Sequence, residues 1–312
     1  MGKLKVGIIF GGKSGEHDVS LMSSSNVIEA MDKEKYDIVQ IGITKSGQWL
    51  LYYGDVSKIK DGSWELDDAH IERDFSIFTH PIIQTIDIFF PVLHGPNGED
   101  GTIQGLLTLL NKPYVGCGVL ASSVGMDKVY SKILFQNARI PSGEYMSIYE
   151  SQWIEGQDEI IIDIERNLGY PFFIKPANMG SSVGISKIHD RLDIANGMEE
   201  AFHHDNKLIL EKGINCREVE CAVLGNRDAK ASVVGEIIPS KEFYDYESKY
   251  FDDGKSVLVI PADINGETMT LIQQYAIKAF QAINGRGLAR VDFFIDKNTQ
   301  EIYINEINTM PG

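Results

Sequence analysis

An α/β protein built of several lobes is what the amino-acid sequence predicts, and three stretches carry that prediction. LKVGIIFGG is an apolar run ending in glycines, followed by the helix-like HDVSLMSSSNVIEAMDKE; a second apolar run, TIDIFFPVLHG, opens into a glycine-rich loop and another helix. Strand, glycine turn and helix in alternation are the pattern of a sheet flanked by helices. The third stretch closes the chain: LARVDFFIDKNTQEIYINEINTMPG reads as two strands joined by a turn. A chain of 312 residues has room for two or three lobes at about 150 residues each.

The first lobe is expected over residues 1–122. Glu16 and His17 stand where the first strand turns into its helix, a corner whose backbone N–H groups favour an anion. Glu16 also suits that place as an ordinary first-turn charge. The fingerprint GxGxxG is absent, so no Rossmann site is assigned. YDIVQIGIT is a further strand, and residues 53–80 have no clear period. His94, Glu99 and Asp100 follow TIDIFFPVLHG, at the carboxyl end of a strand, where open α/β sheets bind ligands. Ile103, Leu106, Leu107 and Leu110 have helical spacing. KPYVGCG is expected to add another strand.

A middle lobe is expected over 123–215. MDKVYSKILFQNARIPS is a helix closed by Pro141. A helix, the strand FFIKP, the loop ANMGSSVG and another strand follow, then the helix RLDIANGMEEAFHHD and the strand KLILEKGI. Glycines in ANMGSSVG allow backbone amides to approach phosphates, Ser181 and Ser182 add hydroxyl donors, and Lys175 ends the entering strand. No Walker A pattern occurs, and an ordinary hairpin turn is the competing reading. His203 and His204 belong to the exposed end of a helix.

The last lobe, 216–312, begins with the strands REVECAVLGN and AKASVVGEIIP. A polar, aromatic segment between Pro239 and Pro261 is expected to act as a lid over 241–255. A long helix leads to the closing hairpin. With its turn near Thr299, Asp292 lies opposite Glu306 and Arg290 opposite Asn308, so that all four project from one face. Ile302 and Ile304 are expected to continue that face towards the turn. Two carboxylates and an amide form a hard oxygen set suited to Mg²⁺; a solvated hairpin face is the alternative.

Composition narrows the function classes. A net charge of −16 argues against a nucleic-acid partner, but a phosphate site needs only a few local cations and amides. No apolar run is long enough to span a bilayer and MGKLKVGIIF is not a signal peptide, so a cytoplasmic protein without a membrane partner is expected. Cys117, Cys216 and Cys221 lack metal-ligand spacing and read as free thiols of a reducing compartment.

Six motifs recur in one order over nearly the full length: FGGKSGEHDVS, HGPNGEDGTIQG, MDKVYSK, YPFFIKPANMGSSVGISK, EFYDYESKY and RVDFFID…YINEINTMPG. In this the chain resembles the D-alanine–D-alanine ligase family of the ATP-grasp superfamily, including its D-alanine–D-serine ligases. The resemblance implies a three-lobed ATP-grasp fold with ATP between the middle and C-terminal lobes. It implies that ATP phosphorylates one D-alanine carboxylate and that the amine of a second amino acid displaces phosphate, supplying peptidoglycan precursor. ATP and Mg²⁺ (or Mn²⁺) are the implied cofactors, and a homodimer is left open. Lys128 and Lys175 would contact phosphates with the loop residues Ser181 and Ser182, and Lys249 would reach over them from the lid. Glu211, Lys212 and Ile214 would line the adenine site, Glu218 would take the ribose hydroxyls, and Asp292, Glu306 and Asn308 would hold the metal.

For the amino acid, the resemblance implies that Glu16 pairs with the first ammonium and is linked to Ser181 and Tyr250. His94 would lie near the first substrate. Arg290 and the backbone N–H of Gly312 would stabilise the oxyanion, with a salt-bridge role for Arg290 as the competing view. In the family the chain continues past MPG with a serine that binds the second carboxylate. The expectation for a chain ending at Gly312 is therefore ATP binding with little dipeptide formation, and D-alanine and D-serine stay open as second substrate. A non-catalytic nucleotide-binding relative is the reading from another class; Glu16, Lys175, Ser181, Arg290, Asp292, Glu306 and Asn308 together favour an enzyme.

Overall fold

The computed structural model describes residues 2–180, 183–238 and 257–311. Ser181, Ser182, Lys249, Tyr250, Gly312 and the 241–255 segment of the sequence reading lie outside the described residues. The chain forms two compact units: Met1–Ser123 with Arg286–Leu288 and Thr309–Gly312, and Val124–Gly285 with Ala289–Asn308.

The first unit holds a five-stranded sheet. Strand β1 (Leu4–Gly11) runs parallel to β2 (Tyr36–Ile43) on one side and to β5 (Ile88–Pro91) on the other. β2 continues antiparallel to β3 (Trp49–Tyr52), which pairs with β4 (Ile71–Glu72). Both faces are covered, which is why β1 is apolar almost throughout rather than alternating. Ile9, Ile41, Leu51, Phe89 and Leu107 fill one core. Ile8, Phe10, Leu50, Tyr52 and Trp64 fill the other, together with Ile28 of helix α1 (His17–Ala30). Gly42 is required here, since a Cβ would sit 2.3 Å from the Trp64 ring.

The 53–80 region without clear period folds into α2 (Val56–Lys60), two 3-10 turns and β4, and α3 (Pro81–Thr85) follows. Trp64 in one of those turns anchors the region in the core. The KPYVGCG segment is not a strand: it makes one isolated parallel bridge, Phe89 to Tyr114. Its glycines account for the difference, because Gly116 has φ of 106°, outside the β region of L-residues. Helices α4 (Thr102–Leu109) and α5 (Val119–Met126) complete the unit's regular structure up to the boundary.

The second unit contains two sheets. One has four strands in the order β6 (Tyr145–Tyr149), β9 (Lys207–Lys212), β7 (Phe172–Pro176) and β8 (Ser186–Ile188), all antiparallel. Phe172, Ile174, Leu208 and Leu210 from its apolar face pack with Trp153 and Ile164 of α7 (Glu150–Asn167) and Met198 of α8 (Ile194–Phe202). Helix α6 (Lys128–Asn137) precedes this sheet. The other sheet has the order β12 (Val257–Val259), β11 (Lys230–Ile238), β10 (Cys216–Gly225), β13 (Gly287–Asp296) and β14 (Ile302–Asn308). Helix α9 (Gly266–Ala282) covers β10 and β11 with Ile272, Ala276 and Phe280 buried.

The closing hairpin has the expected register at the end away from its turn: Arg290 opposes Asn308 and Asp292 opposes Glu306. Nearer the turn it departs from expectation. A bulge after Asp292 makes Phe293 oppose Ile304 and Ile295 oppose Ile302. Ile302 and Ile304 therefore join Val291, Phe293 and Ile295 in the core instead of continuing the polar face. One extra residue in a strand reverses the side on which every later side chain falls.

Candidate active site

On the outer face of the hairpin, Arg290 and Asp292 are two residues apart on β13 and so point the same way. Arg290 donates from Nε to Asp292 Oδ1 at 2.7 Å and from Nη2 to Oδ2 at 2.8 Å, a bidentate pair. Its Nε also lies 3.0 Å from Glu220 Oε2 on the neighbouring strand β10. Asn308 Nδ2 donates to Asp292 Oδ2 at 2.9 Å. Burial disfavours the Arg290 charge, but Asp292 and then Glu220 more than compensate and push its pKa up. Burial likewise raises the Glu220 carboxyl, and Arg290 draws it partly back down.

Lys128 joins this face to the glycine-rich loop. Its Nζ is 3.6 Å from Glu306 Oε2 and donates to the Met179 carbonyl at 2.6 Å. The start of α6 is fixed from several directions. Asp127 caps it by accepting from Val129 N and Tyr130 N, the Lys128 N–H bonds the Ala177 carbonyl, and buried Lys207 pairs with the Asp127 carboxylate. A helix N-terminus held against the exit of β7 places Lys128 beside the loop that Lys175 enters.

Lys175 lies on β7 across from Ile209, and Glu211 on β9 across from Phe173. The Glu211 carboxylate is bound at both oxygens: Oε1 is 2.7 Å from Lys132 Nζ and Oε2 is 2.7 Å from Lys175 Nζ. Burial would raise the Glu211 carboxyl, but the two ammonium groups overcome this and hold it below the usual carboxylate range. Burial would lower the Lys175 pKa, and Glu211 reverses that into a rise. Lys212 is exposed, with Nζ on Glu144 Oε2 at 2.8 Å and its N–H on the Glu144 carbonyl. Ile214 is half-buried just after β9, beside Gly143. Glu218 is half-buried on β10, on the same face as Glu220.

In the first unit, Glu16 precedes α1 and is buried. Its carboxylate lies against Gly95, where a Cβ would come within 2.1 Å of Oε2 and where φ is 69°, so only glycine fits. Ser14 Oγ donates to the His94 carbonyl at 2.7 Å, and His94 Nε2 is 3.0 Å from Ser23 Oγ. Glu99 Oε2 accepts from the Gly95 N–H at 2.9 Å. Glu16 and His94, 78 positions apart in sequence, are thus brought to one corner at the ends of β1 and β5. A cavity of about 220 Å³ adjoins this corner, walled by Trp49, Leu93, Ile103 and Leu106; it does not involve the lysines and carboxylates of the second unit.

Four participants were missed by sequence reasoning. Lys132, Asp127 and Lys207 carry no pattern that marks a lysine or aspartate as buried. Glu220 does have a signal: it repeats Glu218 at period two on β10, so the pair shares the face towards β13.

The α/β unit and the two sheets of the second unit, with lysines entering a glycine-rich loop and carboxylates on the last hairpin, define the class of ATP-grasp ligases. Family models match both parts of the chain: the D-ala D-ala ligase N-terminus over residues 5–117 and the D-ala D-ala ligase C-terminus over residues 134–312. The chain belongs to the D-alanine–D-alanine ligase family. It is 50% identical to a D-alanine–D-alanine ligase of Thermoanaerobacter sp. strain X514, covering 100% of this chain and 89% of that one. It is 49% identical to that of Ruminiclostridium cellulolyticum, covering 100% and 88%. Among solved structures, the VanG D-Ala:D-Ser ligase from Enterococcus faecalis superposes with a TM-score of 0.87 at 38% identity, covering 99% of this chain and 91% of that one. The D-alanine-D-alanine ligase from Coxiella burnetii superposes with a TM-score of 0.84 at 32% identity, covering 100% and 86%.

Proposed function

We propose that the chain joins two D-alanines in an ATP-dependent reaction, through an acyl phosphate of the first, and so supplies D-alanyl-D-alanine for peptidoglycan. The observation that carries this reading is the hairpin face that bears Arg290, Asp292, Glu306 and Asn308, with Lys128 Nζ 3.6 Å from Glu306. The family relatives at 49–50% identity are named for D-alanine as both partners, which favours it over D-serine as the second substrate. The three free cysteines agree with a reducing cytoplasm. No described helix is long and apolar enough to cross a membrane.

In this reading the 123–215 and 216–312 lobes hold the nucleotide and the 1–122 lobe the first amino acid. Lys128 and Lys175 take phosphate oxygens, Glu211, Lys212 and Ile214 bound the adenine, and Glu218 receives the ribose. Among the described residues no three His, Cys, Asp or Glu side chains converge as a metal cluster. The hairpin still fits a hard divalent cation. Asp292 and Glu306 are directly opposed, Asn308 adds an amide oxygen, and three carboxylates, with Glu220, outnumber Arg290 and Lys128 by one charge. Mg²⁺ held there would neutralise the charge of the transferring phosphoryl group. Glu16, kept from water by burial, orients the ammonium of the first D-alanine. Arg290 donates to the oxygen that becomes negative when the second amine attacks, an interaction made in the transition state and so one that accelerates the step.

The test is phosphate release with Mg²⁺ and ATP, with and without D-alanine, and mass-spectrometric detection of the product. With the full-length protein, release that requires D-alanine and yields the D-alanyl dipeptide is expected. Release independent of D-alanine, or a faster mixed product when equal D-serine is added, would overturn the reading.

A further inference from the structure

Helix α6 carries a second lysine to which the reaction above gives no role. Lys132 lies one turn beyond Lys128, its side chain only 2% exposed, with Nζ on Glu211 Oε1 and 5.9 Å from the centre of the Tyr145 ring. A lysine this deep is costly to keep charged unless it is paired. Its partner is the carboxylate that also holds Lys175.

The charge balance explains what such a residue does. Lys175 alone with Glu211 would be a neutral pair, its positive charge already spent on a carboxylate 2.7 Å away. With Lys132 on the other oxygen the trio carries one net positive charge. Lys175 also feels Glu306 and Glu218. Lys128, Lys132 and Lys175 therefore face Glu211, Glu218 and Glu306, three against three. With the hairpin's Arg290, Asp292 and Glu220 included, the balance facing an incoming polyphosphate is one net negative charge, and without Lys132 it would be two. Inside a protein such an imbalance is weakly screened.

We propose that Lys132 is a positioning residue for the nucleotide phosphates: by sharing the Glu211 carboxylate it leaves Lys175 with charge to offer them. The proposal rests on the reading of the chain as an ATP-dependent ligase. Because the effect is electrostatic, it scales with the number of phosphates and vanishes for a nucleoside.

The experiment measures binding of ADP and of adenosine by calorimetry in wild type, Lys132→Gln and Lys132→Arg, with steady-state kinetics alongside. Glutamine keeps a hydrogen-bond donor for Glu211 but no charge; arginine keeps the charge. For Lys132→Gln, ADP binding should weaken at least about tenfold and adenosine binding less than about twofold. The KM for ATP should rise with the ADP constant while the KM for D-alanine holds. Lys132→Arg should keep the ratio of ADP to adenosine affinity within about threefold of wild type. Equal weakening of both ligands in the glutamine variant would make Lys132 a packing residue and overturn the proposal. If the glutamine variant does not fold, the arginine variant decides: loss of ADP binding with adenosine unchanged would show that positive charge is not what matters. A wild-type protein that binds neither ligand would defeat the ATP-dependent reading itself, whereas a wild type that binds both and a glutamine variant with an unchanged ratio would defeat only the role of Lys132.

Discussion

Replacing Arg290 with methionine separates its ion pairing from the oxyanion role proposed for it. Its guanidinium is the cation that both Asp292 and Glu220 meet, at 2.7 and 3.0 Å. Removing one partner of a buried ion pair costs about 3–5 kcal/mol. The Arg290 side chain is 31% exposed and its partners about a fifth, so solvent screening reduces the expected loss to about 2 kcal/mol. Turnover should suffer more, because loss of one oxyanion donor costs on the order of 10²–10³ in kcat. The stability deficit should also depend on pH. Burial already raises the Glu220 carboxyl, and Arg290 opposes that rise; without the arginine the folded value climbs further above the unfolded one. A carboxyl shifted upwards lowers stability at pH above its folded pKa, and the deficit shrinks as pH falls through that value. Urea midpoints of Arg290→Met against wild type should differ more at pH 8 than at pH 5, and D-alanine-dependent phosphate release should fall by the factor given. An unchanged midpoint at pH 8, or a kcat within about threefold of wild type, would refute the reasoning.

Three further outcomes are expected. Asp292→Asn and Glu306→Gln should each remove most turnover and raise the Mg²⁺ concentration needed for half-activity, read from magnesium titrations of phosphate release; normal titrations would remove these residues from the metal. Gly42→Ala should destabilise by about 1–3 kcal/mol through overpacking alone, since its Cβ would fall 2.3 Å from the Trp64 ring, and a midpoint equal to wild type in urea would contradict that packing. The Glu211 carboxyl is held below its ordinary range, so it contributes stability above its unfolded pKa of about 4.3, lost as pH falls through the folded value. Glu211→Gln should therefore be less stable than wild type at pH 7 and should show a shallower decline between pH 5 and pH 3 in thermal melts, whereas parallel declines would mean that Glu211 is not a source of acid sensitivity.

Much of this molecule could be read before any tertiary contact was known, and the reason is local. A turn near Thr299 predicts Asp292 opposite Glu306 and Arg290 opposite Asn308, and the structure has these pairs because the bulge offsets a turn-end register that would otherwise set Asp292 opposite Asn305. The strand–turn–helix rhythm of the first lobe is written in hydrophobic period and glycine. The bulge after Asp292 was missed although its trace is present: Ile302 and Ile304 share one parity, Ile307 the other, and all three are buried. The 53–80 region gave no period because its anchor is a single tryptophan in a 3-10 turn, not a repeating face.

By itself the sequence determined the α/β architecture, the closing hairpin with its carboxylates and the presence of a glycine-rich loop, because hydrophobic period and turn chemistry act over a few residues. Only the tertiary structure decided which charges share a partner. Glu16 meets Gly95 through the curl of two strand ends, Glu220 reaches Arg290 across a sheet, and Lys132 reaches Glu211 from a helix 79 positions away. Burial and long-range pairing depend on what packs overhead, and a lysine in a helix reads the same whether its ammonium ends in water or in a core.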